Sequence, residues 1–161
     1  WKMKTLNYTA RFINLAGEVN SAMPRVVVEL VVDALNVEKK AVNGSKILVC
    51  GVAYKRDSDD LRESPALDVI ELLLERGASV DFHDPHVPEL TVASGHRFKS
   101  VDLTAPGSIE AYDAAIIVTD HRALDIAALL GRAHLVVDTR NATKTQVAAN
   151  PKAVRARVVR L

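Results

Sequence analysis

Apolar residues near the start of the chain recur at helical spacing. Over residues 9–22 they return every three or four positions, as on one face of a helix: Phe12, Ile13, Leu15, Ala16 and Val19. Pro24 is predicted to interrupt this helix, because proline lacks the amide hydrogen that a helix interior needs. Beyond it, a polar stripe at helical spacing predicts a second helix: Arg25, Glu29, Asp33 and Asn36.

The remaining positions of this second helix are apolar around most of its circumference. Such a helix must be covered on more than one side, and one small domain covers only one face easily. A second subunit is the natural cover for the other face. We therefore expect residues 1–44 to form a helical arm that makes a homodimer, with Val27, Leu30 and Val31 in the subunit contact.

From residue 45 onward, short apolar runs of strand length alternate with helical segments. The runs predict strands at residues 45–52, 79–83, 114–119 and 135–138, a weak strand at 99–103 and an edge strand at 155–161. Helices are predicted from Ser64-Pro65 to Gly77, as N-cap, first-turn proline and C-terminal glycine, and over residues 123–130. This alternation is typical of an α/β fold with a doubly wound parallel sheet, here at residues 45–161 after the helical arm.

The composition narrows the class of partner. Lys plus Arg number 21 against 20 Asp plus Glu, so the net charge of +1 provides no broad positive field for nucleic acid or an anionic membrane. Aromatic residues are only 4% of the 161, which makes base-stacking surfaces improbable. The sequence has no signal peptide and no apolar run of about 18 residues. These features favour a cytoplasmic protein that binds a small molecule.

Polar residues cluster after three of the predicted strands, where ligands of open parallel sheets bind. The loop after the first strand keeps Gly51 but lacks the glycine spacing that cradles a dinucleotide pyrophosphate. Binding must therefore rest on side chains. Lys55 is a compact cation suited to a phosphate oxygen, and Arg62 and Arg140 each offer a planar fork of donors. The three clusters are residues 55–65, 119–121 and 138–141.

Other reactive residue types have simpler explanations. Cys50 lies inside an apolar strand, where a cysteine is most often a small core residue rather than a nucleophile. His83, Asp84 and His86 lack a further ligand at helical or hairpin spacing, so no metal is predicted. His121 has no nucleophile beside it and is interpreted as a loop residue. We expect no catalytic residue in this chain.

Residues 51–65 (GVAYKRDSDDLRESP) resemble the signature that opens the UDP-binding domain of the UDP-glucose/GDP-mannose dehydrogenase family. Residues 12–24 are similar to the central helix of that family, and Asp84-Pro85 and residues 138–141 are similar to its later motifs. Members that oxidise UDP-N-acetylglucosamine or UDP-N-acetylmannosamine resemble the first segment best. UDP-N-acetylglucosamine is therefore the expected substrate, with UDP-N-acetylmannosamine and UDP-glucose as alternatives.

The resemblance implies a C-terminal fragment of an NAD-dependent UDP-sugar 6-dehydrogenase. Such enzymes oxidise the sugar C6 alcohol twice, through a thioester on a cysteine, to a uronic acid for cell-surface polysaccharide. The cysteine and the NAD domain precede the region that this chain matches, so the chain alone is expected to be inactive. By the same resemblance, Lys55 contacts UDP, Arg62 reaches NAD, Arg25 crosses the dimer interface to the partner's sugar, and Arg140 lies near the substrate.

Two other interpretations remain open. The chain is alternatively a stand-alone module that binds a nucleotide sugar or an effector without catalysis. A response-regulator-like or ordinary NAD-binding domain would carry a phosphoacceptor aspartate or a glycine fingerprint after the first strand, and the sequence has neither.

Overall fold

The computed structural model describes residues 11–161, and strands and helices alternate along it much as predicted. The predicted start of the first helix at residues 9–10 lies outside this range. The elements are α1 (Arg11–Val37), β1 (Lys46–Cys50), α2 (Pro65–Glu75), β2 (Ser79–His83), β3 (Glu89–Thr91), β4 (Arg97–Lys99), β5 (Ala114–Ile117), α3 (Ile126–Arg132), β6 (Leu135–Asp138), α4 (Lys144–Ala149), a 3₁₀ turn (Pro151–Ala153) and β7 (Arg157–Arg160).

Five strands form one sheet in the order β2-β1-β5-β6-β7, and every neighbouring pair is parallel. From β1 the chain moves outward to β2, whereas from β5 it moves the other way to β6 and β7. The direction therefore reverses between β1 and β5. At such a switch point the loops after the two strands diverge and leave a crevice, where ligands of open α/β sheets bind.

Side chains of β1 alternate between two hydrophobic cores, one on each face of the sheet. Ile47 and Val49 pack in the core that contains the buried residues of α1 and α2. Leu48 and Cys50 point into the second core, which contains Leu129 of α3. Helices therefore cover both faces, and the predicted doubly wound α/β sheet with a preceding helix is confirmed.

Helix α1 runs without a break from Arg11 to Val37 and contains Pro24 in its interior. The predicted interruption at this proline is wrong. A proline inside a helix costs about 3 kcal/mol because it removes one hydrogen bond and crowds the preceding turn. Here Pro24 itself is buried, and the turns that follow it bury five apolar side chains, which offsets that cost: Val27, Val28, Val31, Ala34 and Leu35.

The buried face of α1 packs on this chain's own domain. Val27 and Val31 are 5% and 0% exposed and belong to the same core as β1 and α2. The expectation that Val27 and Val31 lie in a subunit contact is therefore wrong, and Leu30, which is partly buried, packs against the same core. The polar stripe begins at Arg25 and is exposed along its whole length, as its spacing predicted.

Apolar side chains on the first half of α1 have no cover within residues 11–161. Phe12 is 89% exposed, and three further apolar side chains are each more than half exposed: Ile13, Leu15 and Val19. None of the helices in the described range has the length and apolar character needed to cross a membrane. The uncovered apolar surface thus lies about two to four turns before Val27, the first residue expected in the subunit contact.

Ser64 caps α2 as predicted and also ties the helix to the loop after β1. Its hydroxyl accepts a hydrogen bond from the Ala66 amide at 3.4 Å and donates one to the Val52 carbonyl at 2.7 Å. Pro65 opens the helix, and Gly77 follows its end with a φ of +81°. The sequence signals for both ends of this helix are confirmed.

The segment between β2 and β5 differs from the prediction. A two-stranded antiparallel hairpin, β3-β4, replaces the single weak strand expected at residues 99–103. The hairpin joins the main sheet through one bridge between Phe82 and Ser100. Helix α4 was not predicted. None of its residues is buried, so it lacks the apolar stripe by which a helix is recognised.

Candidate functional site

Gly51 ends β1 in a conformation and a space that only glycine fits. Its φ is +77°, and a Cβ added there would lie 2.0 Å from the carbonyl oxygen of Thr119. The Gly51 amide donates to the His83 carbonyl at 2.9 Å. This glycine therefore lets the ends of β1 and β5 pack closely, and its side-chain direction is filled by backbone rather than open to a phosphate.

The buried carboxylate of Asp84, just after β2, accepts five hydrogen bonds. Its Oδ2 receives the Val52 and Ala53 amides at 2.7 and 3.2 Å and His121 Nε2 at 3.0 Å. Its Oδ1 receives the His86 and Val87 amides at 2.8 and 3.2 Å. The Asp84 side chain thus joins the loops after β1, β2 and β5.

His121 continues this network to the far end of the loop after β1. Its side chain is fully buried, and its Nδ1 accepts a hydrogen bond from the Asp57 amide at 2.9 Å. An amide always donates, so the proton of the neutral ring sits on Nε2, which donates to Asp84. In return the Arg122 amide donates to Asp57 Oδ1 at 2.9 Å. That hydrogen bond lowers the pKa of Asp57 below its ordinary value.

Lys55 lies in the loop that this network holds. Its ammonium is exposed and sits 5.7 Å from the centre of the Tyr54 ring. The Tyr54 amide donates to the Asp60 carbonyl at 2.8 Å, which adds a contact within the loop. The result is a solvent-facing cation on a main chain fixed on both sides, at the switch point between β1 and β5.

Asp120 brings the loops after β1, β5 and β6 together. Its carboxylate pairs with Arg56, and its Oδ1 lies 3.8 Å from Arg140 Nε. The two guanidinium groups remain about half exposed, at 53% and 57%. They border a cleft of about 660 Å³ whose wall also includes Asn141, Thr145 and Gln146. Arg122 and Asp125 line the same cleft, so an anion entering it would meet three arginines and two carboxylates.

The buried carboxylate of Asp138 holds the loop that carries Arg140. The Asp138 carboxylate accepts the amides of Arg140, Ala142 and Thr143 at 3.0, 3.1 and 2.8 Å and the Thr143 hydroxyl at 2.7 Å. Burial alone would raise the pKa of Asp138, but these hydrogen bonds outweigh it and hold the pKa below its ordinary value. Asn141 takes a left-handed conformation with φ of 56°, which completes the turn.

Arg62 and Arg25 lie apart from Lys55 and Arg140. The Arg62 guanidinium forms a bidentate pair with Asp60, at 2.9 Å from Nε and 2.7 Å from Nη2, and hydrogen bonds from Arg62 lower the pKa of Asp60 to about 2. This guanidinium is 88% exposed. Arg25 lies on the exposed stripe of α1, and no contact within residues 11–161 joins it to the loops of the sheet. The described chain thus gathers Lys55 and Arg140 at one edge.

The single thiol of the sequence is unsuited to nucleophilic chemistry. Cys50 is fully buried in the second core. Burial, together with a smaller effect of the nearby Asp84 carboxylate, raises the pKa of its thiol to about 12. A thiol in such surroundings stays protonated at neutral pH, so Cys50 is a core residue.

One grouping of potential metal ligands occurs among the described residues. Asp57, His86 and His121 each place a ligand atom within 4.8 Å of the others. Sequence spacing could not find this set, because folding brings it together from three loops. Both nitrogens of His121 are already engaged, however, by the Asp57 amide and the Asp84 carboxylate. A metal would have to displace one of those hydrogen bonds, so the grouping is better explained as part of the network.

Residues 48–145 match the UDP binding domain of the UDP-glucose/GDP-mannose dehydrogenase family. The chain is 35% identical over 123 residues to a UDP-N-acetyl-D-mannosamine dehydrogenase of Methanococcus maripaludis, covering 76% of this chain and 26% of that protein. It is 34% identical over 119 residues to a UDP-glucose 6-dehydrogenase of Bacillus subtilis, covering 73% of this chain and 24% of that protein.

Among solved structures, a UDP-glucose dehydrogenase from Pyrobaculum islandicum matches with a TM-score of 0.70 and 28% identity. The match covers 97% of this chain and 33% of the other. This chain therefore spans between a quarter and a third of the length of such relatives. Since the family match takes in more than half of the 161 residues, the chain belongs to the UDP-glucose/GDP-mannose dehydrogenase family.

Proposed function

We propose that this chain is the UDP-binding part of an NAD-dependent nucleotide-sugar 6-dehydrogenase that converts a UDP-N-acetylhexosamine to its uronic acid. The observation that carries the proposal is the position of Lys55, an exposed cation at the switch point of a sheet whose family binds UDP. A diphosphate there would replace water around the ammonium with a charge-assisted contact. Arg140, at the edge of the neighbouring cleft, is proposed as a second substrate contact.

The division of labour within the enzyme follows from two local features. Gly51 faces the Thr119 carbonyl, so the turn after β1 does not fit a dinucleotide pyrophosphate. In this proposal NAD is held mainly outside this chain, and the exposed fork of Arg62 reaches it from here. Cys50 is buried, so the catalytic thiol also belongs elsewhere in the enzyme. The chain alone is accordingly proposed to bind UDP without turning over substrate.

The proposed substrate class rests on the relatives. Several of those that match this chain are named UDP-N-acetyl-D-mannosamine dehydrogenases, and others are UDP-glucose 6-dehydrogenases. We infer a UDP-N-acetylhexosamine as the substrate class, with the glucosamine and mannosamine epimers as the two candidates within it. UDP-glucose is the alternative.

Substituting Lys55 with alanine is expected to weaken UDP binding by about 1.5–3 kcal/mol, the range for a hydrogen bond to a charged group. Isothermal titration calorimetry on the 161-residue chain measures this directly. Lys46 provides the matched control, because it is an exposed lysine that begins the same strand at the opposite edge of the sheet. Lys46→Ala should leave the UDP affinity unchanged. Equal affinities for all three proteins would remove Lys55 from the site.

We also propose that the enzyme is a homodimer that forms through the arm, residues 1–44, with residues 45–161 as the UDP-binding domain. The support is the row of uncovered apolar side chains on the first half of α1, headed by Phe12 at 89% exposure. Apolar patches of this kind mark interaction sites more often than free surface. Arg25, on the same helix, is proposed to reach the sugar bound by the partner subunit.

Replacing Leu15 and Val19 together by glutamate is expected to raise the dimer dissociation constant at least about tenfold, since both side chains lose apolar contact area. Sedimentation equilibrium measures the change. Asp33→Ala, on the polar stripe, is the control and should leave association as it was. A wild-type chain that sediments as a monomer at every concentration, or a double variant that still dimerises fully, would contradict the interface.

A further inference from the structure

His121 is a buried histidine that has no reacting partner but holds two loops together. Its imidazole is 0% exposed, with Nε2 3.0 Å from Asp84 Oδ2 and Nδ1 2.9 Å from the Asp57 amide. Neither nitrogen is free to exchange a proton with a substrate. Its place in the loop after β5 puts it opposite the loop that carries Lys55. In this position the ring can hold the main chain of the loop after β1 in place.

We propose that His121 is a positioning residue for nucleotide binding: its Nδ1 lone pair holds the main chain of Asp57 and thereby sets where Lys55 meets a diphosphate. The inference rests on the proposed function, because it takes Lys55 as the diphosphate contact. In this proposal His121 affects binding only by setting the position of Lys55, and it does not itself contact the ligand.

The first support is the conformation of Asp57. Its φ is 57°, in the left-handed region that residues with a Cβ enter at a cost. Two hydrogen bonds to the loop after β5 hold it there: its amide donates to His121 Nδ1 and its carboxylate accepts the Arg122 amide. The second bond depends on an exposed side chain. The bond to His121, which is partly buried and ends on a fully buried ring, is therefore the firmer of the two.

The second support is the shortness of the span that carries Lys55. Both backbone polar groups of Ala53, two residues before Lys55, are hydrogen-bonded. Its amide donates to Asp84 Oδ2 at 3.2 Å, and its carbonyl accepts a hydrogen bond from the Thr119 hydroxyl at 2.7 Å. Asp57, after it, is fixed by His121. Only three residues lie between these anchors. The main chain at Lys55 can shift appreciably only if one of these anchors is lost. The main chain of Asp57 is held by one hydrogen bond, whereas that of Ala53 is held by two.

Substitution of His121 by asparagine or by glutamine tests the roles of its two ring nitrogens one at a time. His121→Asn places an amide oxygen near the position of Nδ1, so it keeps an acceptor for the Asp57 amide and loses the donor to Asp84. His121→Gln places an amide nitrogen near the position of Nε2, so it keeps the donor and loses the acceptor. Both shorten or reshape one buried side chain by a similar amount, and thermal unfolding checks that both variants fold.

The experiment measures UDP affinity by calorimetry and exchange of the Asp57 amide by NMR, on the 161-residue chain. His121→Gln should weaken UDP binding about fivefold, the equivalent of one net hydrogen bond, and speed exchange of the Asp57 amide. His121→Asn should stay within about twofold of wild type in affinity, since the acceptor is retained. A merely structural role would move both variants together, in proportion to their stability.

Equal loss of affinity in both variants, or wild-type affinity and exchange in His121→Gln, would overturn the inference. A wild-type chain that does not bind UDP, or a Lys55→Ala variant that binds like wild type, would instead overturn the proposed function, while amide exchange still reports whether His121 anchors Asp57. If either variant does not fold, an NMR measurement on the wild-type chain still tests the inference. A scalar coupling across the hydrogen bond from the Asp57 amide to His121 Nδ1 is expected, and its absence would end the proposal.

Discussion

Replacing Gly51 with alanine is expected to destabilise the chain by on the order of 4 kcal/mol, the combined cost of a left-handed conformation and an overpacked site. The added Cβ would lie 2.0 Å from the Thr119 carbonyl oxygen, and that oxygen is backbone, so it cannot turn aside. The ends of β1 and β5 would have to separate. Urea unfolding followed by circular dichroism measures the loss.

Gly95→Ala is the matched control for this prediction. Gly95 also has a positive φ, +87°, but an added Cβ there would meet nothing within 4 Å. Its substitution should cost only the conformational part, about 1–2 kcal/mol. The difference between the two variants isolates the close approach of the strands. Equal losses would mean that the strands do not depend on this contact.

Removing the carboxylate of Asp84 by substitution with alanine is expected to cost at least about 3 kcal/mol, because buried donors left without an acceptor retain their full desolvation penalty. Four backbone amides and the His121 ring would lose their partner at once. The loops after β1, β2 and β5 would loosen together. UDP affinity should fall with stability, since the Lys55 loop loses one of its two anchors.

Asp102→Ala is the matched control for Asp84→Ala. It tests whether the loss of stability depends on burial and on the number of donors, or follows from the removal of any aspartate. Asp102 is exposed and accepts two hydrogen bonds, both from Thr104. Its removal should cost less than about 1 kcal/mol, because water replaces the lost contacts. A loss for Asp84→Ala no larger than that of Asp102→Ala would show that the five-donor network adds no stability.

Regular elements of the domain were predictable because their residues carry a local signal. The runs at residues 47–50 and 135–137 are apolar throughout, as strands covered on both faces must be. The hairpin β3-β4 carries no such signal, since four of its six residues are exposed. Helix α4 was not predicted for the same reason, because it has no buried residue to mark an apolar face.

The helical arm shows where local rules fail. Pro24 predicts a break when the first turns are considered alone, but the side chains that follow it are buried in the domain. Spacing identified which positions of α1 are apolar and could not say which of them the domain itself covers. Val31 and Phe12 are equally apolar by pattern, yet one is fully buried and the other 89% exposed. Only tertiary packing separates them.

The candidate site was predictable for its cations and not for its carboxylates. Lys55 and Arg140 follow strands directly, so the parallel topology places both at one edge. The carboxylates act on distant parts of the chain: Asp84 accepts hydrogen bonds from Val52 and His121, and Asp120 pairs with Arg56 and Arg140. No spacing rule encodes such partners. His121, interpreted from sequence as an ordinary loop residue, is understood only once Asp57 and Asp84 are seen on either side of its ring.

The burial of Cys50 makes the chain well suited to site-specific labelling. The sequence contains one cysteine, it is fully buried, and its thiol stays protonated at neutral pH. A thiol-reactive fluorophore or spin label will therefore leave the native chain unmodified. A single cysteine introduced at an exposed position would become the sole attachment point. Distances and motions of the arm and of the Lys55 loop can thus be followed by spectroscopy without first removing the natural cysteine.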